Sequence, residues 1–424
     1  MPPATNAMTM ATSFVSIASE NLPSTPATGS CVSGVGDVKE PSPHCKHLKY
    51  HLLYHASTSD DTLFLLGYSV TENPMFKNLF GMWSKDIGID LGTANTLVYV
   101  RDKGIVINEP SIVALNQKTG KILAIGTEAR RMIGRTPGHI SVMRPLVNGV
   151  VSDFEVTEQM LKYFIDRVHA GTWSIMPRPR VVIGIPSGVT EVERRAVQDA
   201  TYNAGAREVY LIEEPMAAAL GARLPIQEAV PNVIVDIGGG TTEVAVISMG
   251  GLISSRSLRV AGDKLTEDII RYLREEKNLL IGEATGENVK LSLGSAWALE
   301  EELELPVRGR DLISGLPREI SITSQEIRGA MSRSIKMIVR AVRNAIEETP
   351  PELTADLLNR PIAIAGGGAL IRGLDTLIAK ETKLLVQAVA DPLTAVVRGC
   401  GMVLENLEQL RSVLLARQED AYRS

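Results

Sequence analysis

The sequence predicts an α/β protein made of two similar halves, and three observations carry that prediction. From about residue 85 the chain alternates apolar runs of strand length with longer segments of helical period. One strand–turn–strand pattern occurs twice. Ile87-Gly88-Ile89-Asp90-Leu91-Gly92 leads through small polar residues into a second apolar run, and Val233-Ile234-Val235-Asp236-Ile237-Gly238 does the same. Asp90 to Asp236 and Gly92 to Gly238 are separated by the same 146 residues. Third, Gly366-Gly367-Gly368 follows another apolar run, where a strand gives way to a helix.

The elements follow in order. Strands are expected at Asp86–Leu91, Thr96–Arg101, Val181–Ile185, Val233–Ile237, Glu243–Ser248 and Ile362–Ala365. Helices are expected at Thr157–Ala170, Val189–Ala204, Pro215–Arg223, Lys264–Lys277, Ser324–Glu348, Gly373–Glu381 and Pro392–Leu410. Thr190 with Glu193 three residues on has capping-box spacing. Residues 1–74 are rich in Ser, Thr, Pro and Ala without sustained period, and read as a disordered or misassigned N-terminal extension, with Met75 the natural start. Within it, His44, Cys45, His47, His51 and His55 hold four of the six histidines, but no carboxylate or second cysteine completes a metal site there.

Composition narrows the function. A length of 424 residues exceeds one ordinary core, so two or more domains are expected. With 44% hydrophobic and 22% charged residues the chain is no disordered polymer. The net charge of −5 disfavours a protein that lives on nucleic acid. Three cysteines without paired spacing (Cys31, Cys45 and Cys400) exclude a disulfide scaffold and point to a reducing compartment. No apolar run approaches the ~20 residues of a membrane-spanning helix, and no secretory signal pattern opens the chain.

The repeated hairpin suggests chemistry. Residues without bulky side chains let consecutive backbone N–H groups approach phosphate oxygens. An Asp at the strand end would repel phosphate unless a cation lay between, so Asp90 and Asp236 are expected to hold Mg²⁺ through water from opposite sides of a cleft. Either hairpin alone would read as an ordinary turn with a solvated Asp; the matched pair argues for the site. The glycines at 366–368 would let a flat purine lie on the backbone. There is no Gly-x-x-x-x-Gly-Lys-Ser/Thr and no Gly-x-Gly-x-x-Gly after the first strand, which sets aside P-loop enzymes and dinucleotide dehydrogenases. Glu214, beside Pro215 and between the two hairpins in sequence, suits an acceptor near an attacking water, and Glu213 reads as an ordinary ion-pairing or solvated residue.

The segments Asp86–Tyr99, Asn108–Ser111, Leu211–Ala219, Val235–Ala245 and Thr349–Leu353 resemble the actin, heat-shock chaperone and sugar-kinase superfamily of ATPases, and within it the MreB family of bacterial actins. The resemblance runs from Met75 to about Leu415. It implies an actin-like ATPase fold: two duplicated ribonuclease H-like α/β domains facing a nucleotide cleft, in four subdomains. The implied division is an amphipathic helix at 75–84, domain I at 85–221 with a small subdomain near 106–143, and domain II at 222–394 with a small subdomain near 256–324. Residues 395–424 would form a helix returning to domain I, and a tail.

Carried onto this chain, the resemblance assigns Gly92, Thr93, Ala94 and Asn95 to a first phosphate loop and Gly238, Gly239, Gly240 and Thr241 to a second. Gly262 and Asp263 match the turn beside the ribose, Glu287-Asn288-Val289-Lys290 the helix at the nucleoside, and Gly366, Gly367, Gly368 and Ala369 the adenosine loop. Glu214 matches the acid that orients or activates water, with Thr241 helping to place it. Asn288 departs from the family's usual basic residue, which bears on base or sugar contact and not on the fold. The implied cofactors are ATP/ADP and Mg²⁺. The implied partners are further copies of the chain in paired protofilaments, the inner membrane surface, and cell-elongation proteins such as MreC and RodZ. The implied activity is slow ATP hydrolysis coupled to assembly, at the cytoplasmic face of the membrane, directing wall elongation in a rod-shaped cell. A chaperone would continue into a substrate-binding domain, and a sugar kinase would need a polar pocket with a base for a hydroxyl; neither signature is found. A non-polymerising nucleotide switch or kinase of the same fold is the alternative.

Phe76, Leu79, Phe80 and Trp83 fall on one helical face with Lys77 and Lys85 at its edge, the pattern of an interfacial helix. The same face would also suit a core-packed N-terminal helix. A second apolar group, Trp173 to Pro177 with Ile175 and Met176, matches the family's membrane-facing loop and would equally suit a loop packed on its own domain.

Overall fold

The computed structural model describes residues 84–170 and 178–415. The histidine cluster, Phe76, Leu79, Phe80, Trp83, Ile175 and Met176 lie outside the described residues. Among the described residues no helix is long and apolar enough to cross a membrane.

Two five-stranded sheets carry the architecture, and they share one plan. In the first, Gly104–Pro110, Asn95–Val100, Ile87–Leu91, Arg180–Ile185 and Glu208–Glu213 lie side by side. In the second the order is Gly251–Leu258, Thr242–Ser248, Asn232–Ile237, Ile362–Ala365 and Val386–Ala388. Each begins with two antiparallel pairings and ends with two parallel ones. The register repeats as well. Asp90 lies opposite Leu97 and Gly184, and Asp236 lies opposite Glu243 and Ala365. The duplication read from the hairpins is thus a duplication of whole sheets.

The central strands are apolar on both faces because helices cover both sides. Phe154–His169 and Glu191–Asn203 enclose one core with Ile87, Ile89, Val98, Phe164 and Ile183. Gly262–Glu276 and Ser324–Glu347 enclose another with Val235, Val244, Leu265, Ile335 and Ile364. A third core joins the sheets. In it the helices Glu214–Gly221 and Ala395–Glu405 pack against Val182 and Ile212 of the first sheet and Ile234 and Ala245 of the second. Small three-stranded sheets, Ile122–Ile125 with Val113–Asn116 and Ile140–Met143, and Leu279–Leu280 with Glu304–Asp311 and Pro317–Thr323, complete the described sheet structure beside one two-stranded ribbon.

The expected capping box forms: Glu193 N donates to Thr190 Oγ1, and Thr190 N to the Glu193 carboxylate. Two expectations need correction. The helix expected at Pro392–Leu410 is shorter, Ala395–Glu405, preceded by a 3-10 turn at Pro392–Thr394. Asp391, with φ of 52°, and Pro392 turn the chain before helix can begin, and Asn406 leaves helical geometry at the other end. The glycine cluster does not run straight into a helix either. Gly367–Leu370 is a 3-10 turn, and the helix Leu374–Thr382 opens only after Gly373, whose φ is 70°.

Candidate nucleotide site

The repeat places its two acids at corresponding points of the two sheets, and the loops that follow them touch. A Cβ on Gly239 would stand 2.7 Å from the Ala94 Cβ, and one on Gly240 would stand 2.5 Å from Thr93 Oγ1. The Thr93 hydroxyl accepts from Gly149 N at 2.9 Å, which pins the first loop. The second loop is closed by Gly238 N donating to Thr241 O and is tied to the start of helix Gly262–Glu276 by two bonds. Gly262 N donates to Gly238 O, and Asp263 N to Gly239 O.

Four carboxyl groups collect behind these loops: Asp90, Glu214, Asp236 and Glu243. Glu214 opens the helix Glu214–Gly221 and is 8% exposed. Loss of water pushes the Asp90 carboxyl up to about 7. Asp236 is pushed up to about 8, by burial first and then by the charges of Asp90 and Glu243. Glu214 is held well above the carboxylate range by burial and by Glu243, Asp90 and Asp236. Such mutual repulsion in a buried place is relieved by a cation. Among the described residues no group of three or more His, Cys, Asp or Glu side chains could hold a metal ion. Mg²⁺ keeps waters and binds through only one or two carboxylates and substrate phosphates, and the buried pair Asp90 and Asp236 is a donor set compatible with that.

This electrostatic arrangement has a measurable consequence. In the cation-free protein the raised carboxyls retain protons that the unfolded chain gives up from about pH 4 upward. The native state thus binds more protons than the unfolded one until Asp90 and Asp236 titrate, near 7 and 8. Stability should fall across that interval and stay low above it. With a chelator present, the melting temperature is expected to drop between about pH 5 and about pH 8, and Asp236→Asn should flatten the drop. A flat profile in the unsubstituted chain would contradict the reading.

The remaining expected residues divide. Lys290 Nζ donates to Gly262 O at 2.9 Å and pairs with Glu287 at 2.7 Å, while Glu287 also accepts from the Thr266 hydroxyl. Asp263 pairs with Arg144 at 3.0 Å, and the same guanidinium reaches Glu283. Gly262, Asp263, Glu287 and Lys290 are therefore brought together beside the second loop. Val289 is not among them, since it is fully buried in the second sheet's core, and Asn288 faces solvent. Gly366 meets the site directly: its φ is 76°, and a Cβ there would be 2.4 Å from Asp236 Oδ1. Glu213 precedes the helix of Glu214 and is half-buried; its carboxyl is raised by burial, with Arg194 opposing that rise.

The sequence model of the MreB/Mbl protein family matches residues 84–412. The chain belongs to the MreB/Mbl family. It is 50% identical over 338 residues to the cell shape-determining protein MreB of Escherichia coli (strain K12), covering 79% of this chain and 97% of that protein. It is 48% identical over 329 residues to the cell shape-determining protein Mbl of Bacillus subtilis (strain 168), covering 78% and 98%. The crystal structure of MreB5 of Spiroplasma citri bound to ADP superimposes with a TM-score of 0.73 at 39% identity, covering 77% of this chain and 99% of that one. A MamK double helical filament, at 22% identity and a TM-score of 0.65, shares the fold.

As an MreB/Mbl protein the chain has the expected actin-like fold. Glu243 and Arg144, two groups this family member places at the site, escaped the sequence reading. The one signal for Glu243 was an acid inside a run of strand residues where the first hairpin has Leu97.

Proposed function

We propose that this chain binds ATP with Mg²⁺ between its two sheets, hydrolyses it slowly, and uses the nucleotide state to control assembly into membrane-associated filaments that direct cell-wall elongation. The observation that carries the reading is the contact of the two glycine loops in front of Asp90, Asp236 and Glu214. Asp90 and Asp236 would hold Mg²⁺, which when bound supplies neutralising charge at the phosphates. The loops 92–95 and 238–241 present backbone N–H groups to phosphate oxygens. Once a cation relieves the repulsion that raises its carboxyl, Glu214 would orient or activate the attacking water, with Thr241 helping to place it. Gly262, Asp263, Glu287 and Lys290 face the sugar, and residues 366–369 lie against the base. The nucleotides named in the Spiroplasma citri MreB5 structures, ADP and AMPPNP, support this assignment.

The domain division expected from the sequence belongs to the same proposal, with the cleft between domains I and II. So do self-association, attachment to the inner membrane face, and contact with cell-elongation proteins such as MreC and RodZ. The names of the relatives support a role in cell shape. Purified chain given Mg·ATP should release phosphate and show filaments on lipid by negative-stain microscopy. Lipid binding is assigned to Phe76, Leu79, Phe80 and Trp83, with Ile175 and Met176. Each such side chain gains roughly 1.5–3 kcal/mol on burial, and a filament multiplies the effect of one short segment. Replacing Phe76 and Trp83 by Ser should leave filaments intact and free them from liposomes. Persistent co-sedimentation would remove the anchor from the proposal, and phosphate release without filaments in solution or on lipid would favour the nucleotide switch.

A further inference from the structure

The two halves differ at one telling position of their shared register. Asp90 faces Leu97, a core residue 5% exposed, whereas Asp236 faces Glu243, which is only 1% exposed. The first sheet shows that the plan is satisfied by an apolar residue there, so the sheet does not demand the acid. Burying a carboxylate is costly unless its oxygens are bonded. Those of Glu243 are. Oε2 accepts from Ser187 N at 3.2 Å and from the Ser187 hydroxyl at 2.6 Å; Oε1 accepts from the Ser257 hydroxyl at 2.6 Å.

The donors come from opposite halves. Ser257 lies on the neighbouring strand of the second sheet, in register with Glu243. Ser187 lies just past the end of Arg180–Ile185, a strand of the first sheet. Ile185 in turn is registered against Glu213, the residue before Glu214. At the other end, Glu243 stands two residues after Thr241. A short chain of bonds therefore runs from the Thr241 loop through one carboxylate to the strand pair that delivers Glu214.

We propose that Glu243 is a positioning residue: it ties the turn at Ser187 to the strand following the second phosphate loop, and so fixes the separation of Glu214 from Thr241. The inference rests on the hydrolysis reading above. Glu243 touches no substrate; it acts through the placement of the two groups that do.

The test compares Glu243→Ala, Glu243→Gln and Ser187→Ala in the full chain. Gln keeps an oxygen for the two Ser187 donors, and the Ser257 hydroxyl can turn to accept from its amide. The span therefore survives in Gln and is lost in Ala. Misplacement of about 1 Å can cost about 100-fold in rate, so Glu243→Ala is expected to lower kcat at least about tenfold. ATP affinity and KM should be unchanged, Glu243→Gln should restore kcat to within about twofold, and Ser187→Ala should fall between them. Hydrogen exchange on the nucleotide-free protein gives a readout independent of turnover. The Ser187 amide should be protected in the unsubstituted chain and in Glu243→Gln, and exposed in Glu243→Ala. Unchanged kcat in Glu243→Ala, equal loss in Glu243→Gln, or unchanged Ser187 exchange would each overturn the proposal. Should Glu243→Ala not fold, Ser187→Ala with unchanged kcat and unchanged exchange of its neighbours overturns it alone. An unsubstituted chain that binds ATP and releases no phosphate would instead overturn the hydrolysis reading, while the exchange data still decide whether the tie exists.

Discussion

Glu214→Ala is expected to keep ATP bound and to lose phosphate release. The loops proposed to hold phosphate, 92–95 and 238–241, do not include Glu214, so binding should persist. Turnover needs an acceptor beside the nucleophile, and a positioned acid or base contributes about 10²–10⁴-fold. Of the candidate acids, Asp90 and Asp236 are committed to the cation in the proposed site, and Glu243 has its oxygens occupied by serine donors. Glu214 is the buried carboxyl left over at the site. Fluorescent-nucleotide binding and phosphate release, measured on the same preparation, separate the two effects. Turnover unchanged in Glu214→Ala would strip it of its role; lost binding would make it a structural residue.

Gly399→Ala is expected to destabilise the native state severely, by about 3 kcal/mol or more. The helices Glu214–Gly221 and Ala395–Glu405 cross with no room between backbones: a Cβ on Gly399 would lie 1.8 Å from Ala217 O, and one on Gly221 would lie 1.9 Å from Ala395 O. A clash with a backbone carbonyl cannot be relieved by a rotamer change, so the helices must part, and with them the core that joins the sheets. Overpacking ordinarily costs about 1–3 kcal/mol, and this case belongs at or above the upper end. Gly329 is the control. It lies within the helix Ser324–Glu347, nothing would touch a Cβ there, and Ala should be neutral or stabilising by about 0.5–1 kcal/mol. Thermal melts of the two variants decide the matter; similar melting temperatures would mean that the crossing has slack.

Much of the plan was written in short-range pattern. The two hairpins, their common spacing and the strands around Val181–Ile185 and Ile362–Ala365 are apolar runs bounded by turn residues, and the structure keeps them to within a residue or two. The small sheets were not legible as strands. Glu304–Asp311 alternates exposed with covered residues, but Pro306, Gly309 and four charged residues leave it few of the apolar side chains that mark a strand, and Val113–Asn116 is only four residues long. The site was half legible. Asp90, Asp236 and their glycine loops stand out because one hairpin pattern recurs at a common offset, and Glu214 because the resemblance assigns it beside Pro215. Val289 was carried in by its place in a motif, although its side chain belongs to the core. Glu243 and Arg144 acquire meaning only from partners far along the chain, 56 residues away at Ser187 and 119 at Asp263.

The helix Ala395–Glu405 has one more bearing, on how the molecule is made. Cys400 donates its thiol hydrogen to Ile89 O across 311 residues of sequence, and the helix lies against the strand that carries Asp90. The strand of Asp236 likewise waits for Ile362–Ala365 to arrive beside it. Each acid-bearing strand pairs early with the strand after it, and gains its last neighbour only from residues beyond 361. A polypeptide that stops before Ile362 would lack both contacts, so the paired acids take their final packing only once the helix Ala395–Glu405 has been made.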